Sequence, residues 1–364
     1  MIPIMEPWID HQEIDLVMDC LKTGWISSQG KYIQEFEKAF SGVCGARYGV
    51  ATSNGTTALQ LALLTLGVGP GDEVIVPALS FIASANVVVY TGARPVFADV
   101  DEKTWTLNPS LVRPLITDRT KAIMPVHLYG HPADMDPILK IAKEHHLWVI
   151  EDAAEAHGAE YRGHKVGSIG DMGCFSFYGN KIISTGEGGM LVTDNEAWAE
   201  KARLLRDHGM SKEKKYWHPV VGYNFRMTNI QAAIGLGQIT KLDRLIELKR
   251  SLSDYYNERF KNNPAIVRPV EENWAKSVFW LYSIILKPES NKKREDLIAY
   301  LSRFDVESRP VFYPIPAMPP YQDQRAYPVS DWISKGGISL PSGFNLTRIQ
   351  QDYLIQLIQE FLEG

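Results

Sequence analysis

The sequence predicts an α/β fold: a mostly parallel central sheet flanked by helices, followed by a smaller C-terminal α+β domain. Two features carry this expectation. First, short apolar runs at 73–77, 95–98, 122–126, 148–150 and 174–177 alternate with helical patterns. Strands that read apolar throughout, separated by helices, fit a parallel sheet buried on both faces. Second, the texture changes past about residue 235, where a long amphipathic stretch leads into aromatic and Pro-rich segments. At 364 residues the chain is long enough for two domains, placed at 1–240 and 241–364.

Taken in order, the first helix is expected over 56–66, with Ser53 or Asn54 as its cap and Gly67, Gly69 and Gly71 forming the turn after it. The strands 73–77, 95–98 and 122–126 follow, then a helix over 137–145 and the strands 148–150 and 174–177. Polar residues stand directly after these apolar runs: Asp99, His127, Asp152 and Lys181. In open α/β sheets ligands collect at the carboxyl ends of the strands. Beyond, 241–262 places Leu242, Leu245, Ile246, Leu252, Tyr256 and Phe260 on one helical stripe. Helices are also expected over 294–304 and 347–362, around a Pro-rich loop at 309–321.

Composition excludes several classes. Lys plus Arg number 38 against 43 Asp plus Glu, so the chain carries no global attraction for nucleic acid or anionic lipid. Cys20, Cys44 and Cys174 are widely spaced, which argues for a reducing compartment and against structural zinc. No signal peptide or membrane span is read, and a cytoplasmic location is expected. The nine His residues make no HExxH spacing, and no metal is expected. Neither a P-loop nor G-x-G-x-x-G occurs, so ATP and NAD are poorly supported.

Three features carry chemistry. Ser53-Asn-Gly-Thr-Thr57 opens a helix whose free first-turn amides suit a phosphate, although a plain helix cap has the same composition. Glu151 and Asp152 end a buried strand, and since neighbours on a strand point opposite ways, only one can face a site. Lys181 follows an apolar strand beside the Gly-rich Thr185-Gly-Glu-Gly-Gly-Met190, where desolvation makes an amine nucleophilic; most lysines are simply solvated. An anion cradle, a strand-end carboxylate and a lysine together suit pyridoxal 5′-phosphate.

The chain resembles the DegT-type nucleotide-sugar aminotransferases of fold type I over essentially its whole length. The matching segments are Thr23-Gly-Trp-Ile-Ser-Ser-Gln-Gly30, Ser53-Asn-Gly-Thr56, Val126-His-Leu-Tyr-Gly130, Glu151-Asp-Ala-Ala-Glu155, Phe175-Ser-Phe-Tyr-Gly-Asn-Lys181, Gly186-Glu-Gly-Gly189 and Gly222-Tyr-Asn-Phe-Arg-Met-Thr-Asn229. Gly130-His-Pro-Ala-Asp-Met135, Tyr216-Trp217 and Glu307-Ser-Arg-Pro-Val-Phe-Tyr-Pro314 are similar to the GDP-perosamine synthase subfamily.

The resemblance implies that Lys181 holds the cofactor as a Schiff base and that Asp152 pairs with its pyridine nitrogen. It implies phosphate contacts from Gly55, Thr56 and Ser176, and stacking of Phe81 on the ring. Asn224 is expected to reach the phosphate in a neighbouring subunit, which makes a homodimer part of the site. Glu155 stands where many relatives carry Gln, near the phenolic oxygen, where a carboxylate donates only if protonated or bridged by water. Implied substrate contacts are Trp25, Ser27, Lys215, Tyr216, Arg309, Tyr313 and Pro316. Pro316 replaces the subfamily's usual His, and the lysines 212, 214 and 215 could meet a nucleotide diphosphate, although such a run is more often a solvated face.

The implied activity moves an amino group from L-glutamate to the keto carbon of a nucleotide-linked 4-keto-6-deoxyhexose, GDP-4-keto-6-deoxymannose first, in O-antigen or related lipopolysaccharide synthesis. A UDP- or dTDP-linked keto sugar, a dehydratase of the same fold, and a regulatory binder without turnover are the other readings. Dehydratase relatives carry His in place of the lysine, and the Asp152/Lys181 pair disfavours a binder.

Overall fold

A computed structural model describes residues 1–363. Seven strands form the central sheet: β1 (Tyr48–Thr52), β2 (Glu73–Pro77), β3 (Arg94–Ala98), β4 (Thr120–Ile123), β5 (Trp148–Asp152), β6 (Met172–Ser176) and β7 (Gly189–Thr193). Their order is β1-β7-β6-β5-β4-β2-β3. The pairs β2/β3, β2/β4, β4/β5 and β5/β6 are parallel, while β7 runs antiparallel to both its neighbours.

Period-two alternation explains why these strands read as continuous apolar runs. Ile75 and Val149 enter one core cluster, with Phe36, Phe40 and Phe175. Val74, Val76 and Ile150 enter the other, with Leu59, Leu63 and Leu191. Both faces are dry, so no polar phase is needed. Each of these aliphatic side chains contributes roughly 1.5–3 kcal/mol by leaving water.

Strand β4 ends at Ile123 rather than running to 126, because Pro125 has no N–H for the ladder; its carbonyl instead accepts the Asp152 amide at 2.9 Å.

The helix Gly55–Leu66 begins one residue earlier than expected. Asn54 caps it in a reciprocal box with Thr57, and Gly67 closes it in the left-handed region at φ +81°. Helices His11–Thr23 and Lys31–Cys44, which pack against Asn229–Ile239, had no counterpart in the sequence reading.

Helix Leu242–Phe260 starts just past the 240/241 division. After it a four-stranded antiparallel sheet (266–267, 283–286, 337–339, 309–310) packs with helices Arg294–Arg303 and Arg348–Glu363 around Tyr256, Tyr282, Leu301 and Leu354. Ile2 joins this core and pairs with Val306, so the chain start is tied to the C-terminal module. Asp99, at the end of β3, accepts the Val329 and Ser330 amides and the Ser330 hydroxyl. It anchors helix Pro328–Gly336 to the main sheet, a packing task and not a catalytic one. Among the described residues no helix is long and apolar enough to cross a membrane, and no group of three or more His, Cys, Asp or Glu gathers as a metal site.

Candidate functional site

A cavity of about 500 Å³ opens at the carboxyl ends of β5 and β6. It is lined by Gly55, Thr56, Phe81, Asp152, Glu155, Ser176 and Lys181, which were all singled out in the sequence for a cofactor. Arg309 lines it as well. The remaining candidates lie outside the lining.

The two strand-end acids take opposite sides. Glu151 is fully buried and accepts the Gly167, Ile169 and Gly170 amides at 2.7 Å each. His127 Nδ1 accepts the Ala133 amide, so its Nε2–H donates to Glu151 at 2.9 Å, and the ring is neutral in this arrangement. Glu151 and His127 therefore brace a turn. Asp152 faces the cavity. Its Oδ2 accepts the Ser84 hydroxyl at 2.7 Å and its Oδ1 the Ala154 amide at 3.2 Å. Burial pushes its carboxyl above the usual range, partly offset by these donors and by Lys181. A cation placed in the cavity beside Asp152 would remove that cost.

Lys181 is 8% exposed. Its Nζ lies 3.8 Å from the centroid of Trp280 and 3.6 Å from Glu155 Oε1. Burial lowers its pKa, and the two carboxylates act in the other direction. Trp280 is held by its indole N–H, which donates to the Asn180 carbonyl at 2.6 Å. Tyr129 stacks between Trp280 and Phe312, with φ +52°, and its amide donates to Glu155 Oε2 at 2.8 Å. The sequence reading passed over Ser84, Tyr129, Trp280 and Phe312. Only the motif Val126–Gly130, the aromatic stretch 279–282 and the segment Glu307–Pro314 hinted at any of them.

At the far end the helix Gly55–Leu66 points its start into the cavity. Asn54 takes the Thr57 amide, while the Gly55 and Thr56 amides have no acceptor among the described residues. A Cβ on Gly55 would stand 2.6 Å from Ser176 Cβ, so only glycine lets the helix start sit against β6. Free amides, a helix dipole and the Ser176 hydroxyl make a phosphate cradle. Together with a buried amine and a buried carboxylate, this donor set fits pyridoxal phosphate.

The other candidates are scattered. Asn224 is exposed and bridges to Asp207 through the backbone. Trp25 and Ser27 are exposed, on a loop held by Asn229 through the Trp25 and Ser27 carbonyls. Tyr216 is 77% exposed, and Lys215 lies over its ring. Lys212 pairs with Glu200. Tyr313 turns to the buried Arg294. Pro316 is buried inside a 3-10 turn, where its ring packs and offers no polar group.

The model of the DegT/DnrJ/EryC1/StrS aminotransferase family matches residues 7–359. The chain is 47% identical to the GDP-perosamine synthase of Caulobacter vibrioides, over 99% of this chain and 98% of that one. It superposes on DesV of S. venezuelae with a TM-score of 0.91 at 34% identity, covering 100% of both chains. It also superposes on the PLP form of Spr1654 from Streptococcus pneumoniae, with a TM-score of 0.93 at 29% identity, over 100% of this chain and 98% of that one. The architecture is that of the fold type I aminotransferases. The chain belongs to the DegT/DnrJ/EryC1/StrS aminotransferase family.

Proposed function

We propose that this protein is a pyridoxal-phosphate-dependent transaminase that carries an amino group from L-glutamate to the C4 keto carbon of GDP-4-keto-6-deoxymannose, giving GDP-perosamine. The observation that carries the reading is the convergence of Lys181, Asp152 and the open helix start at Gly55 on one cavity. The 47% identity to a GDP-perosamine synthase supports the choice of sugar nucleotide.

When bound, the cofactor supplies a carbonyl carbon that links to an amine and a ring that draws electrons from the adjoining carbon. Gly55, Thr56 and Ser176 hold its phosphate. Asp152 supplies the negative charge that keeps the ring nitrogen protonated, and Ser84 holds that carboxylate in place. Lys181 Nζ removes the α-proton of glutamate, and its burial favours the neutral amine this requires. Trp280 covers Lys181 on the side of the C-terminal module and limits water there. Arg309, paired with Glu307 at 2.7 Å, is the cation other than Lys181 on the described lining. It takes the anionic group of the incoming substrate. Three buried free cysteines fit a cytoplasmic enzyme.

The test is a substrate panel. The purified protein, loaded with pyridoxal phosphate, is given L-glutamate with GDP-, dTDP- or UDP-linked 4-keto-6-deoxy sugars. The expected outcome is 2-oxoglutarate and an amino sugar from the GDP substrate. Turnover confined to a UDP or dTDP sugar would move the assignment within the family; a cofactor absorbance band unmoved by glutamate would end it.

Asn224 is proposed to complete the phosphate site of a second copy. Mixing two inactive chains, Lys181→Ala and Asn224→Ala, should then restore part of the activity, because one of the two heterodimer sites contains neither change. No recovery after verified subunit exchange would place Asn224 in its own protomer's chemistry or in none.

A further inference from the structure

Glu155 stands out among the cavity residues because one carboxyl oxygen is anchored by a backbone amide while the other faces the buried Lys181 amine. Oε2 is fixed by the Tyr129 amide at 2.8 Å, a donor aimed there by the left-handed backbone of Tyr129. Oε1 faces Lys181 Nζ at 3.6 Å, and the two side chains are 5% and 10% exposed. That spacing is within reach of a small side-chain rotation or one water. The other charged or titratable groups around the pair are Asp152, at the end of β5, Glu187 and Arg309 on the cavity lining, and the buried His157, which burial and Lys181 keep neutral. Tyr129 contributes a hydroxyl that burial keeps neutral.

We propose that Glu155 and Lys181 form one proton-sharing pair, in which Glu155 Oε1 receives the proton that Lys181 Nζ must lose before it can act as a base, and later returns it. One N–H bond breaks and one O–H bond forms; the electron pair stays on the nitrogen, and no other reactant is needed. Burial disfavours both ions, raising the Glu155 carboxyl to about 7 and lowering the Lys181 amine, so the neutral acid with the neutral amine approaches the ion pair in energy. What Lys181 does with its free amine rests on the transaminase reading. The pair itself can be tested without turnover.

Glu155→Gln keeps an oxygen for the Tyr129 amide and removes only the acid. Competitive acetylation of the apoenzyme from about pH 6 to 10, read by mass spectrometry of the Lys181 peptide, reports the amine directly. The ionised Glu155 raises the Lys181 pKa, so the variant's midpoint should fall by about one unit, about tenfold more labelling near pH 7. A Glu155 that only anchors Tyr129 would leave the midpoint where it is, and that result overturns the proposal. A second readout uses stability. The folded carboxyl binds its proton up to about 7 and the unfolded one only to 4.5, so the apoenzyme should lose stability as pH rises across that window. In Lys181→Ala the opposing cation is gone and the window should extend upward. An unchanged urea midpoint profile in Lys181→Ala also overturns the pair. Normal titration shifts in a protein that fails every substrate would retain the pair and discard the transaminase.

Discussion

Purified Lys181→Ala is expected to fold like the parent and to lose turnover by about 10⁴-fold or more. The physical reason is the absence of any substitute. Among the described lining residues the only other cation is Arg309, and a guanidinium does not give up its proton at working pH. Folding should survive because Lys181 contributes little net stability: burial already disfavours its charged form. The variant keeps the Gly55 cradle, so it should still bind cofactor, but without the absorbance of a lysine-linked carbonyl. Steady-state kcat and a thermal melt of the same preparation check both halves. Near-normal turnover would remove Lys181 from the chemistry.

Asp152→Asn is the second large effect. The substitution preserves shape and leaves a side chain that still meets Ser84 and the Ala154 amide, while removing the negative charge from the cavity. A pyridine nitrogen is a weak base, and its protonated form needs that charge once water is excluded. The cost is mutual: burial raises the Asp152 pKa in the free protein, and a cation beside it restores the ionised state. Cofactor affinity should fall modestly, since the phosphate cradle is intact. The glutamate and sugar half-reactions should each slow by about 10²-fold or more, equivalent to roughly 3 kcal/mol. Single-turnover measurement of each half-reaction separates this from a binding defect. Equal slowing is expected; unchanged rates would point to Glu155 as the acid facing the ring, because Glu151 is turned away and saturated by three amides.

The five strands β2 to β6 were readable because burial on both faces leaves a run such as Val74-Ile-Val76 without polar interruption, whereas β1 and β7 were not read. Their mostly parallel sense was readable as well, but the one reversal was not. Strand β7 runs against its neighbours, and its Gly-Met-Leu-Val-Thr sequence would pair equally well either way. The N-terminal helices were missed because their apolar faces pack on Asn229–Ile239, a partner about two hundred residues away in the chain.

For the site, the sequence alone determined the chemistry available: a lysine after an apolar strand, a carboxylate at a strand end, and a glycine at a helix start. Those assignments are local, set by strand ends and caps within a few residues. Tertiary structure alone decided which acid points inward. It turned Asp99 and His127 into braces and buried Pro316 in a turn. It also brought Trp280 from the C-terminal module against Lys181, and Arg309 and Phe312 onto the same cavity. Side-chain direction at the end of a strand follows from the neighbours it pairs with. Contacts across a hundred residues follow from how two cores dock, and neither is written in any local pattern.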